Sequence, residues 1–335
     1  MSRYAEVYKN TKGPGDARPT ALQIVEDEGY TGKLTDKVFL VTGVSSGIGV
    51  ETLRALYATG GHVFGTVRDV PKGQKVVEEI KAKTKGGKIT LLEMRNDSLA
   101  SVKEAAAEFL KQSDKLNIII NNAGVMTTPE GKTEDGFETQ FGINHVAHFL
   151  LFWLLKDTLL ASSTPDFPSR VVAVASYGHR SGKPRLHDYN FTEPGSYTPG
   201  LGYGQAKTAN IWFSNELERR YGSKGLHSTS LHPGGIWTGL QIHMDKSFIE
   251  AASKNDDVNN YMMNTEQGAA TQVYAALGEE WKNKGGKYLS KCQVADHVVD
   301  GAIGDDGYED WAYDEQGEKQ LWKDTLKMLD LKDDQ

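Results

Sequence analysis

A tyrosine and a lysine lie four residues apart at Tyr203 and Lys207, a spacing that brings two side chains onto the same face of a helix. A free phenol has a pKa near ~10, so at neutral pH it is a proton donor and a poor base. An ammonium group close by favours the phenolate and lowers the tyrosine pKa towards the working pH. The pair could therefore exchange a proton with a substrate oxygen atom. An exposed helix pair with no catalytic role is the alternative that this spacing alone leaves open.

A glycine-rich turn near the start of the chain, Thr42 to Gly49, follows an apolar run and precedes a helical pattern. Its glycines permit a tight turn and let backbone N–H groups approach a pyrophosphate, whose charge the helix N-terminus favours. A tight strand-to-helix turn without a ligand is the alternative. Because both flanking elements are of the right kind, the pattern favours a dinucleotide site.

The end of the second predicted strand indicates which dinucleotide would bind. An NAD site expects an acidic residue there to hold the ribose 2′-hydroxyl. This chain has Val67 followed by Arg68. A guanidinium can hold a 2′-phosphate by paired, charge-assisted hydrogen bonds, which favours NADP(H). The alternative is that Arg68 is a solvated loop charge.

Six motifs follow one another in a fixed order between residues 36 and 240. They are Thr42-Gly43-x-x-x-Gly47-x-Gly49, Asn121-Asn122-Ala123-Gly124, Asn144, Ser176, Tyr203-Gly204-Gln205-Ala206-Lys207 and His232-Pro233-Gly234-Gly235-Ile236-Trp237-Thr238. In this order they resemble the short-chain dehydrogenase/reductase family. The insertion between Ser176 and Tyr203 and the Arg68-Asp69 pair resemble its retinol dehydrogenase and WW-domain oxidoreductase subgroup. The tail sequences 286–292 and 311–314 resemble those of fungal members.

The resemblance implies roles for four catalytic residues. Tyr203 would be the general acid/base, and Lys207 would also hold the nicotinamide ribose. Ser176 would donate a hydrogen bond to the carbonyl oxygen. Asn144 would anchor a water that relays protons through Lys207.

The cofactor contacts that the resemblance and the motifs predict come from these residues: Gly43, Ser45, Ser46, Gly47, Ile48, Gly49, Arg68, Asn122, Ala123, Gly124, Tyr203, Lys207, Pro233, Gly235, Ile236 and Thr238. One departure from the family concerns adenine. Arg95 stands where many relatives have an aspartate that binds the adenine amino group, so the adenine contacts are left open.

Composition excludes several classes of protein. The 335 residues include 38 Lys+Arg and 45 Asp+Glu, a net charge of −7, which argues against a nucleic-acid partner. The longest apolar run, 149–155, is too short to span a membrane. The single cysteine, Cys292, excludes an intrachain disulfide and predicts a reducing, cytoplasmic location. His145 and His148 lack a completing set of ligands, so we predict no metal site.

Apolar runs alternate with helical patterns along the chain, which predicts an α/β Rossmann-type, doubly wound parallel sheet. The predicted strands are 37–42, 62–67, 88–94, 117–121, 170–175, 226–232 and 287–290. The predicted helices are 20–28, 47–59, 71–83, 98–112, 138–157, 205–220 and 318–331. We predict a leader over 1–35 and one catalytic domain over 36–335, with a helical lid at about 240–275 and a C-terminal extension at about 285–335.

These predictions converge on an NADP(H)-dependent enzyme that interconverts a ketone or aldehyde with an alcohol, in fungal secondary metabolism. An epimerase, dehalogenase or dehydratase on the same site, or a non-catalytic NADP(H) sensor, are the alternatives. By analogy with relatives, a homodimer would form through the helices that contain 149–155 and 205–220, unless the leader or tail covers them. The identity of the small-molecule substrate is left open.

Overall fold

A computed structural model describes residues 2–334, and its centre is an eight-stranded sheet. The strands are β1 (Val38–Val41), β2 (His62–Val67), β3 (Lys88–Glu93), β4 (Ile118–Asn121), β5 (Ser169–Val174), β6 (Leu226–Leu231), β7 (Lys287–Ser290) and β8 (Gln293–Val294). They lie in the order β3-β2-β1-β4-β5-β6-β7-β8, and only the short β8 is antiparallel. The doubly wound parallel sheet predicted from the sequence is thereby confirmed.

Helices cover both faces of this sheet, which is why its central strands are apolar on both sides. The helices are α1 (Ala21–Asp27), α2 (Ile48–Ala58), α3 (Val70–Lys83), α4 (Leu99–Gln112), α5 (Thr139–Phe141), α6 (Ala147–Ser162), α7 (Pro199–Tyr221), α8 (Lys246–Ser253), α9 (Asp256–Tyr261), α10 (Thr265–Gly268), α11 (Ala270–Leu277) and α12 (Glu315–Met328). One core cluster joins the sheet to α1, α2, α3 and α11, and the other joins it to α4, α6, α7 and α12. The central strands β1, β4, β5 and β6 therefore bury both sets of their side chains.

The strand order reverses between β1 and β4. At such a reversal the loops that follow neighbouring strands diverge, and a crevice opens beyond their carboxyl ends. Ligands of open α/β sheets bind in this crevice. The fold thus places the glycine turn after β1 beside the Asn122–Gly124 segment after β4.

The segment predicted as a leader packs against the body of the protein. Helix α1 begins after Thr20, whose side chain accepts a hydrogen bond from the N–H of Gln23 at 3.2 Å, as the sequence predicts. Ile24 and Val25 of this helix are buried against α2 and α11. The N-terminal residues therefore cover part of one face of the core.

Two of the differences between the predicted and the observed helix bounds affect the site. The helix predicted over 138–157 is interrupted by a π-helical turn at Gly142–Val146, which contains Asn144. The helix predicted to start at 205 instead starts at Pro199, because Thr198 caps it by accepting from the N–H of Leu201 at 3.2 Å. Tyr203 consequently lies well inside α7.

The segment predicted as a lid, 240–275, divides into two unlike parts. Helices α8 and α9 contain no buried residue. Every residue of α11, in contrast, is buried, and this helix packs on the sheet. Only the first part has the exposure expected of a lid.

Candidate active site

A cavity of about 1150 Å³ opens at the carboxyl ends of the strands. Its walls come from the segments that follow successive strands: 43–49 after β1, 66–68 at the end of β2, 122–126 after β4, 174–177 around the end of β5 and 232–244 after β6. Tyr203 and Lys207 of α7, residues of α8 and α9, and the loop 301–306 complete it. All the predicted cofactor residues line this cavity, as do Ser176, Tyr203 and Lys207.

Helix α7 presents Tyr203 and Lys207 to the cavity from the same face. Both are buried, with 7% and 4% of their surface exposed. The Lys207 Nζ donates a hydrogen bond to the carbonyl oxygen of Val174 at 3.0 Å and lies 5.6 Å from the centroid of the Tyr203 ring. The end of β5 therefore fixes the ammonium close to the phenol ring.

Burial disfavours the charged form of both groups. It raises the pKa of Tyr203 to about 12, although the neighbouring Ser176 hydroxyl partly opposes this rise. It lowers the pKa of Lys207 to about 8. The lowering of the tyrosine pKa expected from the sequence is thus absent from the free protein, because desolvation is the largest influence on Tyr203. Tyr203 is therefore protonated at neutral pH.

Ser176 lies two residues after the end of β5 and caps the 3₁₀ turn Tyr177–Ser181. Its Oγ accepts a hydrogen bond from the N–H of Gly178 at 3.0 Å, which leaves the hydroxyl hydrogen free to donate. Gly178 packs against the ring of Tyr203 so closely that a Cβ there would lie 2.6 Å from Cε1. The turn therefore holds the Ser176 hydroxyl beside the Tyr203 side chain.

Asn144 lies behind the cavity wall and does not line it. Its side-chain amide accepts from the N–H of Val125 at 2.9 Å and donates to the carbonyl of Val125 at 3.0 Å. A Cβ on Gly124 would lie 2.9 Å from the Asn144 Oδ1, so this glycine permits the contact. Asn144 is therefore a positioning residue for the 124–125 backbone, and its water relay stays a prediction.

His148 connects Asn144 to the glycine turn. Its Nδ1 lies 2.9 Å from the backbone oxygen of Asn144, and its Nε2 lies 2.9 Å from the Oγ1 of Thr42. Thr42 Oγ1 also accepts from the N–H groups of Asn122 and Ala123, both at 2.9 Å. The network assigns the Nδ1–H tautomer to His148, since Thr42 then donates to Nε2.

The two histidines predicted to be structural have separate partners. His145 Nε2 lies 3.1 Å from Thr325 Oγ1 of α12, away from the partners of His148. Burial lowers the pKa of His145 to about 3 and that of His148 to about 4, so both are neutral. Among residues 2–334, no group of three or more His, Cys, Asp or Glu side chains is placed to hold a metal ion.

The glycine turn has the shape of an anion cradle. Gly43 and Gly47 have φ of +73° and +62°, which favours glycine. A Cβ on Gly49 would lie 2.2 Å from the carbonyl oxygen of Gly43, so this glycine lets α2 begin against the turn. Within the described residues, no acceptor engages the N–H groups of 45–49. These free donors at the N-terminus of α2 fit the pyrophosphate of a dinucleotide.

Two cationic side chains, Arg68 and Lys72, border the cavity just beyond the end of β2. Arg68 is exposed, and no acidic partner for it lies within the described part of the chain. Lys72, four residues further on, also lines the cavity. Lys72 is not among the residues predicted from the sequence, although its place in the first turn of α3, after the cap Asp69, could have indicated it.

Arg95 is turned away from the site. Its guanidinium bonds to Asp97 at 3.2 Å and to Glu134, and it does not line the cavity. Asn96 and Asp97 line it instead. The residues at this position that reach the cavity are therefore the two that follow Arg95.

Comparison with known proteins relates this geometry to a family. The family model described as short chain dehydrogenase matches residues 37–192. The short-chain dehydrogenase/reductase prx1 of Penicillium roqueforti is 50% identical over 329 residues, which cover 98% of this chain and 95% of the relative. The chain belongs to the short-chain dehydrogenase/reductase family. As a member of this family, the protein is an oxidoreductase that binds a nicotinamide cofactor.

Further relatives support the fungal and retinol dehydrogenase-like placement within the short-chain dehydrogenase/reductase family. Oxidoreductase calI of Penicillium decumbens is 40% identical, covering 99% of this chain and 98% of the relative. Retinol dehydrogenase 12 of Mus musculus is 37% identical, covering 78% of this chain and 79% of the relative.

The solved structures that this short-chain dehydrogenase/reductase resembles have the same fold. An uncharacterised protein from Mycobacterium paratuberculosis gives a TM-score of 0.66 at 27% identity, covering 94% of this chain and 97% of that one. The NADP complex of RhlG from Pseudomonas aeruginosa gives 0.62 at 21% identity, covering 78% and 96%. No helix among the described residues is both long enough and apolar enough to cross a membrane.

The part of the cavity away from the cradle contains most of the residues that the sequence analysis missed. Lid residues Ile242 and Phe248 line it, as does Ile303 of the loop 301–306. Tyr177 and Arg180, from the turn after Ser176, line it as well. The predicted lid contains Ile242 and Phe248, and the insertion after Ser176 contains Tyr177 and Arg180, but no periodicity or motif in the sequence singles out these side chains.

Proposed function

We propose that this short-chain dehydrogenase/reductase uses NADPH to reduce a ketone or aldehyde to an alcohol, and catalyses the reverse oxidation when product is in excess. The observation that carries the proposal is the meeting of Ser176, Tyr203 and Lys207 in one cavity that also contains an anion cradle. A sensor without chemistry would need the cradle and would have no use for the buried Tyr203–Lys207 pair.

NADP(H) is proposed over NAD(H) because of the charges beyond β2. Arg68 and Lys72 border the cavity there, and Val67 stands where an NAD site would have a carboxylate. A guanidinium and an ammonium can both hold a phosphate. The free N–H groups of 45–49 would hold the pyrophosphate, and Lys207 would hold the nicotinamide ribose. Bound NADPH would supply the hydride that adds to the carbonyl carbon.

The protein's own residues would supply the proton and stabilise the charge on oxygen. Ser176 would donate its free hydroxyl hydrogen to the substrate oxygen as negative charge develops there. Tyr203, protonated at neutral pH, would give its proton to the same oxygen. The ammonium of Lys207 would stabilise the resulting phenolate until a solvent proton restores the phenol. Hydride on carbon and proton on oxygen together form the alcohol and leave NADP⁺.

The mouth of the cavity favours an apolar or aromatic carbonyl compound. Trp237, Ile242, Phe248 and Ile303 are exposed by 37%, 77%, 57% and 51%, and all four line it. Such a concentration of exposed apolar side chains marks a binding site. The likeness to two Penicillium oxidoreductases supports kinship with fungal enzymes, and we propose that the reaction belongs to fungal secondary metabolism. The cytoplasm is the proposed compartment because the only cysteine, Cys292, is a free buried thiol.

The test replaces the proton donor. Tyr203→Phe keeps the ring that packs on Gly178 and removes the hydroxyl, so kcat with NADPH and a carbonyl panel should fall about 10²- to 10⁴-fold. NADPH affinity, measured by fluorescence titration, should change by less than about threefold. Tyr57→Phe, on α2 outside the cavity, is the matched control and should retain full activity. Turnover near the wild-type level in Tyr203→Phe would exclude Tyr203 as the donor.

A further inference from the structure

Arg180 is a cavity residue that the proposed reaction leaves unused. It lies in the turn Tyr177–Ser181, which follows Ser176, and it lines the cavity together with Ser176 and Tyr203. Its Cζ lies 5.6 Å from the ring centroid of Tyr177, and its Nη2 donates to the carbonyl oxygen of Asp305. The guanidinium is therefore held at the substrate end of the cavity.

Comparison with the other arginines shows that this guanidinium lacks a counter-charge. Seven of the ten form ion pairs with Asp or Glu: Arg3, Arg18, Arg54, Arg95, Arg185, Arg219 and Arg220. Arg170 is buried and donates to the carbonyl oxygens of Ala276 and Gly278. Arg68 and Arg180 are the two that have accessible surface and no acidic partner within residues 2–334, and both line the cavity.

The carboxylates closest in the cavity wall are already engaged by other groups. Asp306 accepts from the Tyr261 hydroxyl at 2.7 Å and lies 3.6 Å from the Lys291 ammonium. Asp305 accepts from the N–H groups of Val299 and Gly301, both at 2.9 Å. Neither side chain bonds to Arg180, so an anion from outside would be its first charge partner.

The backbone that carries Arg180 is fixed relative to the reacting groups. The carbonyl of Ser176 lies 2.7 Å from the Nδ1 of His179. The carbonyl of His179 accepts from Thr208 of α7 at 3.1 Å and from the Trp311 indole at 3.2 Å. Because both Ser176 and α7 hold this turn, the distance between the reacting oxygen and an anion on Arg180 is set by the fold.

We propose that Arg180 binds a carboxylate of the substrate, which makes the substrate class an oxo acid: an apolar ketone or aldehyde that also carries a carboxylate. Arginine binds carboxylates through two parallel hydrogen bonds, which fixes orientation as well as affinity. Arg180 would thus be a specificity-determining residue. This inference rests on the proposed carbonyl reduction, and it adds a second anchoring point to the same cavity.

The first experiment compares acids with their neutral esters. The probes are 4-formylbenzoate, the longer 4-formylcinnamate, and the methyl ester of each, assayed by NADPH oxidation. The proteins are the wild type, Arg180→Gln, Arg180→Lys and the control Lys183→Gln, which removes an exposed positive charge outside the cavity. At least one acid should exceed its ester in kcat/KM by about 10- to 100-fold in the wild type and in Lys183→Gln.

In Arg180→Gln, kcat/KM for the preferred acid should fall to the value for its ester, while kcat/KM for the ester should change less than about threefold. Arg180→Lys should retain part of the preference. Equal kcat/KM for acid and ester in the wild type would overturn the proposal. An equal loss for both in Arg180→Gln would also overturn it, because that result would mean Arg180 only braces the loop 301–306.

The second experiment needs no turnover, so it separates this inference from the proposed function. Calorimetry measures binding of 2-naphthoate and of the neutral 2-naphthalenemethanol to the NADPH-loaded protein. Arg180→Gln should weaken naphthoate binding about tenfold or more and leave the alcohol unchanged. Arg180-dependent naphthoate binding without reduction of any carbonyl would contradict the proposed function alone. Naphthoate binding that does not depend on Arg180 would contradict the anion site.

Discussion

At the scale of single residues, the site combines groups whose charges are set by burial. Lys207 has no carboxylate partner among the described residues, and its Nζ bonds to the carbonyl oxygen of Val174 at 3.0 Å. Its lowered pKa, about 8, therefore reflects desolvation. An anionic cofactor would return a counter-charge to this lysine and favour its ammonium form. Cofactor binding and protonation of Lys207 are thus coupled.

This coupling predicts a pH dependence for cofactor affinity. Below pH 8 Lys207 is an ammonium in the free protein, and above pH 8 it loses its proton, so NADPH affinity should fall as the pH rises through about 8. Fluorescence titration between pH 7 and 9.5 should show a nearly constant Kd up to about pH 7.5, then a rise approaching tenfold per unit. Lys207→Arg stays charged and should flatten the profile. A wild-type Kd that is constant up to pH 9.5 would contradict this role.

Arg68 gives a second prediction at the residue scale. It is exposed and borders the cavity beyond β2, so its effect should be confined to the 2′-phosphate. Arg68→Gln should reduce kcat/KM for NADPH by about 10- to 100-fold, the range for a charge-assisted hydrogen bond, and leave that for NADH nearly unchanged. Steady-state kinetics with both cofactors measure this. An equal loss of kcat/KM for NADPH and NADH, or a preference for NADPH that persists in Arg68→Gln, would contradict this role. Either result would indicate that Lys72 or the glycine turn sets the preference.

At the scale of elements, the turn between β1 and α2 depends on close backbone approach. Gly49→Ala would place a Cβ 2.2 Å from the carbonyl oxygen of Gly43 and 2.7 Å from the side-chain nitrogen Nδ2 of Asn122. Helix α2 would therefore have to move. We expect a loss of about 1–3 kcal/mol in the free energy of unfolding and a weaker affinity for NADPH. Chemical denaturation and cofactor titration measure the two effects.

The matched control is Gly200→Ala in the first turn of α7. A Cβ there meets nothing within 4 Å, and φ is not positive. The same chemical change should therefore be neutral or stabilise by up to about 1 kcal/mol. Similar destabilisation by both substitutions would mean that the Gly43–Gly49 contact is not what requires a glycine.

The sequence predicts the strands and the motifs that follow them more fully than it predicts the walls of the substrate end. Buried strands such as β1 and β4 are continuous apolar runs, so their existence and their positions along the chain follow from hydrophobicity. The start of α7 at Pro199 was missed because residues 199–202 have no apolar periodicity, and Thr198 decides the boundary by capping. Arg180 contacts Asp305 of the loop 301–306, which lies 125 residues further along the chain, so no local sequence pattern could indicate this contact.

At the scale of the whole molecule, the C-terminal helix covers the surface through which relatives are expected to pair. Trp322 of α12 is 1% exposed and lies against Phe149 of α6, with ring centroids 4.9 Å apart, and stacks on Phe213 of α7 at 6.0 Å. Thr325 of the same helix reaches His145. The outer faces of α6 and α7 are therefore occupied by the chain itself.

The sequence left two outcomes open: a homodimer through α6 and α7, or a tail that covers these helices and prevents the dimer. The position of α12 favours the second outcome. We predict a monomer in solution. Light scattering coupled to size exclusion should give the mass of a single chain from micromolar to near-millimolar concentration. A mass of two chains that does not change on dilution would contradict this prediction and indicate a different interface.

The central claim, carbonyl reduction by NADPH with Tyr203 as proton donor, is tested most directly by following the hydride. NADPH that carries deuterium at both C4 positions of the dihydronicotinamide is incubated with the wild type and an aldehyde that it reduces, and the product is examined by NMR. Carbonyl reduction predicts one deuterium on the carbinol carbon per NADPH consumed, and almost no labelled product with Tyr203→Phe. A product without deuterium, or turnover that consumes no NADPH, would contradict it.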